Sequence, residues 1–312
     1  MKMRDVLGCV GSGACVLFAS AWIPFMGPLF GLLTPLPFLY YSSKLGIHQG
    51  VKLAALSAFT IALIARLLGH PQIILFCLEF SLLGLALSEL FRRKFSIGQT
   101  IFLGTGFMLF LGFGFLFFLA LSKNMGPFEM ILNYLQAKFK ATIYAYEQMG
   151  ISQGKVIELE AYATALVDII SKVYPSLMVV GTGFAVWLNV VIAKPLFRMG
   201  NLTYPPFMPM DRWQAPDSMV WGVIVTGFAL FLTSGSIKSV AINALIVMMF
   251  VYLFHGLSIV LFFLNKYHVP SWMRIGVYFL IIIQQLFLIL VALAGLFDQW
   301  IDFRRIHRRT QS

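Results

Sequence analysis

The feature that most constrains this chain is a series of apolar runs, each long enough to cross a lipid bilayer as a helix. A membrane-crossing helix needs about 20 residues, because the hydrocarbon core is about 30 Å thick and a helix rises about 1.5 Å per residue. Since 60% of the 312 residues are hydrophobic and only 11% are charged, the chain has too few charges to cover a soluble domain. Eight such runs lie at Val6–Phe25, Leu53–Leu68, Pro71–Phe91, Thr100–Leu121, Tyr174–Leu196, Ser218–Ser234, Ser239–Leu264 and Met273–Phe297. The sequence therefore predicts an all-α protein, a polytopic transmembrane bundle of about eight to nine helices.

A shorter apolar run, Pro28–Tyr41, contains Pro35 and Pro37. Proline removes a backbone donor and interrupts a helix, and lipid tolerates the freed carbonyls only where protein covers them. This run is expected to be either a short kinked crossing or a re-entrant segment, which leaves the number of spans at eight or nine.

The formal net charge of +11 comes from basic residues that sit at the ends of the apolar runs. Examples are the cluster Arg92–Lys94 and the tail Arg304–Arg309. This is the distribution of the positive-inside rule, and anionic lipid headgroups are its natural partner. It argues against a nucleic-acid partner and places both the N-terminus and the basic tail in the cytoplasm.

The longest polar interval, Ser122–Val173, is expected to form an amphipathic helical hairpin. The charges of its five acidic and five basic residues cancel, and its apolar residues recur at helical spacing. Gly150 and Gly154 provide a break between two helices. Two interpretations remain open: a cap that lies at the membrane interface, and a lid over a substrate cavity.

A polar connector follows the hairpin and its next span. Residues 201–217 hold four prolines, so this segment is expected to be ordered but not helical. Trp213 and Trp221 suit the interface between membrane and water. The predicted organisation is an N-terminal membrane block at 1–200 that includes the hairpin at 122–173, the connector at 201–217, membrane helices at 218–297 and a basic tail at 298–312.

Polar side chains inside the apolar runs are the candidate functional residues, because burying them in hydrocarbon is unfavourable unless they are paired or hydrated. Glu79 is the strongest candidate, and Arg66 precedes it at the end of the preceding run. The two form either a structural ion pair or a substrate or proton site. Four further candidates are either interhelical hydrogen-bond partners or the lining of one ligand cavity: Asn189, Asn243, His255 and Gln284.

The sequence shows no catalytic or cofactor motif. There is no nucleophile elbow, phosphate-binding loop or HExxH pattern, and His255 has no histidine or acid three or four residues later. We therefore expect no enzymatic activity, no metal and no cofactor. A membrane enzyme acting on lipid-linked substrates would have to use interfacial acids such as Asp298, which stands with Asp302 and Arg304 in what we interpret as an anchoring charge cluster.

Small residues at four-residue spacing, Gly11, Cys15 and Ala19, mark one face of the first span. Such a stripe allows another helix to approach closely, either within the chain or on a partner subunit. Asp211 and Trp213 of the connector are the other candidates for docking a partner.

Three segments resemble the YybS-like bacterial membrane proteins, a family of unknown function: Met208–Trp221, Asn243–Phe263, and the ending Gly295–Asp298 with Asp302–Arg304. The resemblance implies a multi-pass protein of the bacterial cytoplasmic membrane.

The N-terminal part also resembles the substrate-binding components of energy-coupling-factor vitamin transporters. A proline-bearing helix, Leu33–Pro37, leads there into a turn with Lys44, Gly46 and Gly50. That resemblance implies a small-molecule ligand, a transmembrane scaffold subunit that docks on the small-residue stripe, and a separate ATPase. The alternative is a membrane scaffold in envelope assembly or division that transports nothing.

Overall fold

The computed structural model describes residues 2–23, 27–67, 69, 72–150 and 152–304, and in these ranges the chain is helical with no strand. This confirms the predicted all-α membrane bundle. The helices are α1 (Met3–Trp22), α2 (Gly27–Leu32), α3 (Pro35–Leu45), α4 (Ile47–Leu67), α5 (Gln72–Arg92), α6 (Ile97–Ser122), α7 (Pro127–Gln148), α8 (Gln153–Met199), α9 (Met219–Leu232), α10 (Gly235–Lys266), α11 (Ser271–Ile283) and α12 (Gln285–Ile301). A single 3-10 turn, Met210–Arg212, lies in the connector.

Among the described helices, six are long and apolar enough to cross a membrane: α1, α4, α5, α6, α8 and α10. The pair α11 and α12 adds a seventh span if it is counted as one, although it bends by 101° at Gln284. The predicted span at 218–234 is the shorter helix α9. The proline-bearing run at 28–41 divides between α2 and α3, and Pro35 stands in the first turn of α3, where no backbone donor is needed.

The described chain divides into two compact units. Unit 1 comprises Met1–Ile131 and Gly181–Phe207, and unit 2 comprises Leu132–Val180 and Met208–Ser312. Neither unit is one continuous stretch, because α8 contributes to both. The sequence-based division at 200, 217 and 297 stays a prediction.

Unit 1 is organised by the close approach of α3 and α5. A Cβ atom on Gly84 would lie 2.6 Å from the Cβ of Phe38 and 2.7 Å from the carbonyl oxygen of Pro35, so only glycine fits between the two helices. Phe38 and Leu83 are fully buried beside this crossing. The proline-bearing helix is therefore part of the core of this unit.

Gly150, with a positive φ, lies between α7 and α8, and the hairpin itself stays a prediction. Its second helix, however, does not end before the following span. Helix α8 runs for 47 residues through Pro175 and Pro195 without interruption. At about 1.5 Å per residue it is about 70 Å long, more than twice the thickness of the hydrocarbon core, so much of it must lie outside the membrane.

Candidate functional site

The candidate site lies in unit 2, where α10 and α12 cross at two glycines. A Cβ atom on Gly256 would collide with the carbonyl oxygen of Val291, and one on Gly295 would collide with that of Tyr252. The backbones touch because neither residue has a side chain, the same principle that lets small residues mediate helix packing in membranes. This crossing fixes His255, which directly precedes Gly256 on α10, and Asp298, one turn after Gly295 on α12.

Beside the crossing, the side chains of His255, Asp298 and Arg304 form a buried triangle. Asp298 Oδ2 lies 3.0 Å from His255 Nε2 and accepts a hydrogen bond of 3.0 Å from Arg304 Nη2. Arg304 Nη2 also lies 2.9 Å from His255 Nε2. All three residues are at most 5% exposed. The carboxylate and the guanidinium thus compensate each other's charge in a site that water does not reach.

Arg304 also joins this triangle to the connector. Its Nη1 donates to the carbonyl oxygens of Asp211 and Trp213, at 3.2 and 3.3 Å, and to Ser258 Oγ at 3.3 Å. Ser258 Oγ in turn donates to the Trp213 carbonyl at 2.7 Å. We call the side chains of His255, Ser258, Asp298 and Arg304, with the two connector carbonyls, the clasp.

The end of α12 explains how Arg304 reaches the clasp. Asp302 adopts the left-handed conformation, φ 46°, and ends the helix. The backbone N–H of Phe303 then donates to Asp298 Oδ1 at 2.8 Å. The chain turns back on the helix it has just left, so the side chain of Arg304 points into unit 2. Asp298 therefore holds both the turn and the guanidinium.

A second polar group holds the connector from the other side. Asn265 Nδ2 donates to Asp211 Oδ2 at 3.0 Å, and Arg274 Nη1 donates to Asn265 Oδ1 at 2.7 Å. Arg274 also donates from Nε to the Val269 carbonyl oxygen at 2.7 Å. The connector is thus fixed at its backbone by Arg304 and at a side chain by Asn265.

Three buried polar atoms of the clasp region have no hydrogen-bond partner among the described residues: His255 Nδ1, Arg304 Nε and the Tyr252 hydroxyl. The Tyr252 ring stacks on the imidazole at 6.4 Å, and the Trp213 ring meets it edge-on at 6.3 Å. The imidazole thus faces a carboxylate and a guanidinium at Nε2, between these two rings.

The first half of the connector belongs to unit 1 and is held differently. The Tyr204 hydroxyl donates to the carbonyl oxygen of Val190 at 2.8 Å, and its ring packs edge-on against Phe91, Phe197 and Phe207. Burial raises the pKa of the Tyr204 hydroxyl, so it stays protonated and remains a donor at any physiological pH.

The structure does not pair the two strongest predicted ligand residues. Glu79 is half-buried on α5 and forms no ion pair or hydrogen bond with any residue described, and Arg66 is exposed near the end of α4. The structural ion pair considered for them is therefore absent from this part of the chain. The Glu79 carboxylate instead lies against the bare backbone of Gly112 on α6, with Oε1 3.0 Å from the position of a Cβ there.

The other predicted ligand residues do not line one common cavity. Asn189, in unit 1, donates from Nδ2 to the carbonyl oxygens of Leu32 and Ala185, both at 2.7 Å. Asn243, in unit 2, donates to the Lys172 carbonyl oxygen at 2.8 Å and accepts from the Ser176 N–H at 2.9 Å. Both act as hydrogen-bond partners between segments. Gln284 is exposed at the bend between α11 and α12, and His255 belongs to the clasp.

The predicted docking residues fall into two groups. Gly11 and Cys15 are exposed on α1 and Ala19 is half-buried, so the small-residue stripe faces largely away from the core of unit 1. Asp211 and Trp213, by contrast, are half-buried and make the intramolecular contacts just described. Partner docking at any of these residues stays a prediction.

Sequence reasoning missed Ser258, Asp298 and Arg304 as site residues. Their position at the end of an apolar run predicts an anchoring charge cluster for Asp298 and Arg304, but the structure buries both. The available signal was the resemblance itself: the three segments that carry it are the connector, the middle of α10 and the end of α12. These segments meet in the clasp.

The fold and the site define a class, that of multi-pass helical membrane proteins with a buried polar cluster in the C-terminal helices. The chain belongs to the family described as Predicted membrane protein (DUF2232), whose model matches residues 14–299. It is 22% identical over 298 residues to the uncharacterized protein YybS of Bacillus subtilis (strain 168), covering 93% of each chain. The resemblance drawn from the three segments is thereby confirmed. No solved structure matches this chain.

Proposed function

We propose that this membrane protein is the small-molecule-binding component of a transporter, and that Glu79 on α5 contacts the ligand. One observation carries the proposal: Glu79 is a carboxylate within an apolar span and has no compensating partner among the described residues. Leaving such a group in hydrocarbon is unfavourable, so an unpaired intramembrane acid favours a ligand, a cation or a proton as its partner.

Two further features support a ligand at this position. Gly112 on α6 accommodates the carboxylate itself within the span, because a Cβ at that position would lie 3.0 Å from Glu79 Oε1. The resemblance of the N-terminal part to substrate-binding components of energy-coupling-factor transporters adds a precedent at the level of the fold. Energy would come from separate scaffold and ATPase subunits, since the sequence has no nucleotide-binding motif.

The test is purification from native membranes in mild detergent, followed by mass spectrometry of co-purifying small molecules and proteins. We expect a small molecule with the parent chain and at least about tenfold less of it with Glu79→Gln, because a hydrogen bond to a charged group contributes about 1.5–3 kcal/mol. The matched control is Glu89→Gln, since Glu89 is a partly exposed acid on the same helix, paired with Arg92 and Arg93. Arg66→Ala tests the other predicted ligand residue in the same experiment.

The outcomes separate the two functions considered. Co-purification of an ATPase and a membrane scaffold subunit supports the transporter component. Equal ligand recovery from the parent and from Glu79→Gln would show that Glu79 does not bind the ligand. Recovery of envelope or division proteins without any small molecule favours the scaffold function instead.

We also propose that the protein lies in the bacterial cytoplasmic membrane with the N-terminus and the basic tail inside. Four basic residues of unit 2 belong to the connector and to the helix ends joined to it, namely Arg212, Lys266, Arg274 and Arg304, whereas Lys238 stands near the other end of α10. The positive-inside rule then places this end of the unit in the cytoplasm.

This orientation predicts which side of the membrane reaches each end of α10. In a chain without native cysteines, Tyr267→Cys should react with an impermeant maleimide only in inverted vesicles. The control, Lys238→Cys near the other end of the same helix, should react only in right-side-out vesicles. The opposite pattern would invert the proposed topology.

A further inference from the structure

We propose that His255 is a proton-binding site, and that its protonation expels Arg304 from the clasp and so removes the hydrogen bonds that Arg304 donates to the connector. The inference concerns unit 2 alone and does not depend on the ligand role of Glu79. It rests on the geometry at one atom, His255 Nε2, which faces a carboxylate oxygen and a guanidinium nitrogen at nearly equal distances.

A single ring nitrogen cannot satisfy both neighbours. Arg304 Nη2 carries only hydrogens to donate, so Nε2 accepts from it only through a free lone pair. Asp298 Oδ2, when ionised, only accepts, so Nε2 reaches it only by donating a hydrogen. In each protonation state, one of the two contacts at Nε2 is a hydrogen bond. The other contact brings together two acceptors when Nε2 carries no hydrogen, or two donors when it does.

With the imidazole neutral and its hydrogen on Nδ1, the clasp is complete. Arg304 then donates to both Nε2 and Asp298 Oδ2, and the buried charges of Asp298 and Arg304 sum to zero. Taking up one proton from water at Nε2 creates an imidazolium that donates to Asp298. The buried cluster now carries one excess positive charge, and two cations lie 2.9 Å apart in a site that excludes water.

Arg304 is the cation that can leave. His255 sits in the middle of α10, whereas Arg304 follows the end of α12 and reaches the clasp only through the turn at Asp302. Its departure leaves Asp298 paired with the imidazolium and removes the Arg304 hydrogen bonds to the carbonyls of Asp211 and Trp213. The connector then keeps the side-chain contact of Asp211 with Asn265 and the hydrogen bond from Ser258.

The charged groups named around the imidazole lie at the end of α12 and in the connector, while α9, which also packs on α10, carries no charged residue. Asp298 and Arg304 face it directly from α12 and the turn after it. Asp217, the last residue of the connector, acts electrostatically on the Tyr252 hydroxyl of α10. In the connector, Asp211 is engaged by Asn265. Among the described residues of unit 2, Asp298 is the one that forms an ion pair with His255.

Trp213 provides the readout, because its ring meets the imidazole edge-on at 6.3 Å and an imidazolium quenches indole emission more than a neutral imidazole does. The full chain, with its other five tryptophans changed to Phe, is placed in lipid nanodiscs and titrated from about pH 8.5 to about pH 4.5, the range in which histidine changes charge. We expect one reversible transition in Trp213 emission. The same transition should persist in His48→Gln, a histidine of α4, and be absent in His255→Gln.

Substituting Arg304 and Asp298 tests whether their charges set the midpoint of the transition, which a purely structural role of these residues would not do. Removing the competing cation in Arg304→Gln should move the midpoint to higher pH by about one unit or more, and removing the anion in Asp298→Asn should move it lower by a similar amount. Absence of a transition in the parent, its persistence in His255→Gln, or an unmoved midpoint in Arg304→Gln would overturn the proposal.

Hydrogen exchange on the unsubstituted chain gives a second test that does not depend on any variant folding. The turn at 302–304, which Arg304 ties to the connector carbonyls, should be protected above the transition and exchange faster below it, after correction for the intrinsic pH dependence. Equal protection on both sides of the transition would show that Arg304 does not leave.

Discussion

Replacing Asp298 by alanine is expected to lower the free energy of unfolding by about 3–5 kcal/mol. The variant leaves the Arg304 guanidinium buried without its counter-charge, and it removes the acceptor for the Phe303 N–H that shapes the end of α12. Breaking a buried pair by removing one partner is costly because the remaining charge has no compensation, whereas the intact pair itself contributes little.

Unfolding in mixed dodecyl maltoside and SDS micelles, followed by circular dichroism, measures this effect. The control is Asp168→Ala on α8, because Asp168 and Lys172 form a pair of 2.6 Å whose side chains are about 60% exposed. An exposed pair of this kind contributes about 0.5 kcal/mol or less. If Asp298→Ala changes stability no more than Asp168→Ala does, the clasp is not a buried charged cluster.

A double variant sharpens the interpretation. Asp298→Ala with Arg304→Ala removes both charges, so it should be less destabilised than the sum of the two single variants by more than about 0.5 kcal/mol. Additive effects would instead indicate that the two residues stabilise unit 2 independently.

The class of fold was predictable because it depends on local composition. Apolar runs of about 20 residues identify membrane helices without any knowledge of their packing, and Gly150 marks a turn by its conformational freedom. The continuity of α8 was not predictable in this way. Pro175 and Pro195 ordinarily favour a helix end, and their toleration here depends on the tertiary structure around them.

The clasp could not be predicted from spacing for a related reason. His255 and Asp298 are 43 residues apart, and Arg304 reaches both only because Asp302 turns the chain back at the end of α12. Charged residues at the end of an apolar helix are usually exposed and anchor it at the interface, so Asp298 and Arg304 were interpreted in that way. Their burial follows from the glycine crossing, which no single segment of sequence specifies.

Substituting alanine at Gly256 is expected to destabilise unit 2 by about 2–3 kcal/mol, although alanine is the better helix former by about 1 kcal/mol. A Cβ there would collide with the carbonyl oxygen of Val291 and lie 2.7 Å from its carbonyl carbon, so rigid backbone must move. The same unfolding measurement tests this effect. Gly227→Ala on α9, where nothing lies within 4 Å of an added Cβ, should be neutral or stabilising and is the matched control.

The separation of α10 from α12 in Gly256→Ala would also pull His255 away from Asp298. The variant should therefore combine with Asp298→Ala less than additively, because both changes break the same cluster. Gly295→Ala should behave in the same way, since its Cβ would meet the Tyr252 carbonyl from the opposite helix. If Gly256→Ala is as stable as Gly227→Ala, or if it combines additively with Asp298→Ala, then the helix crossing does not position the clasp.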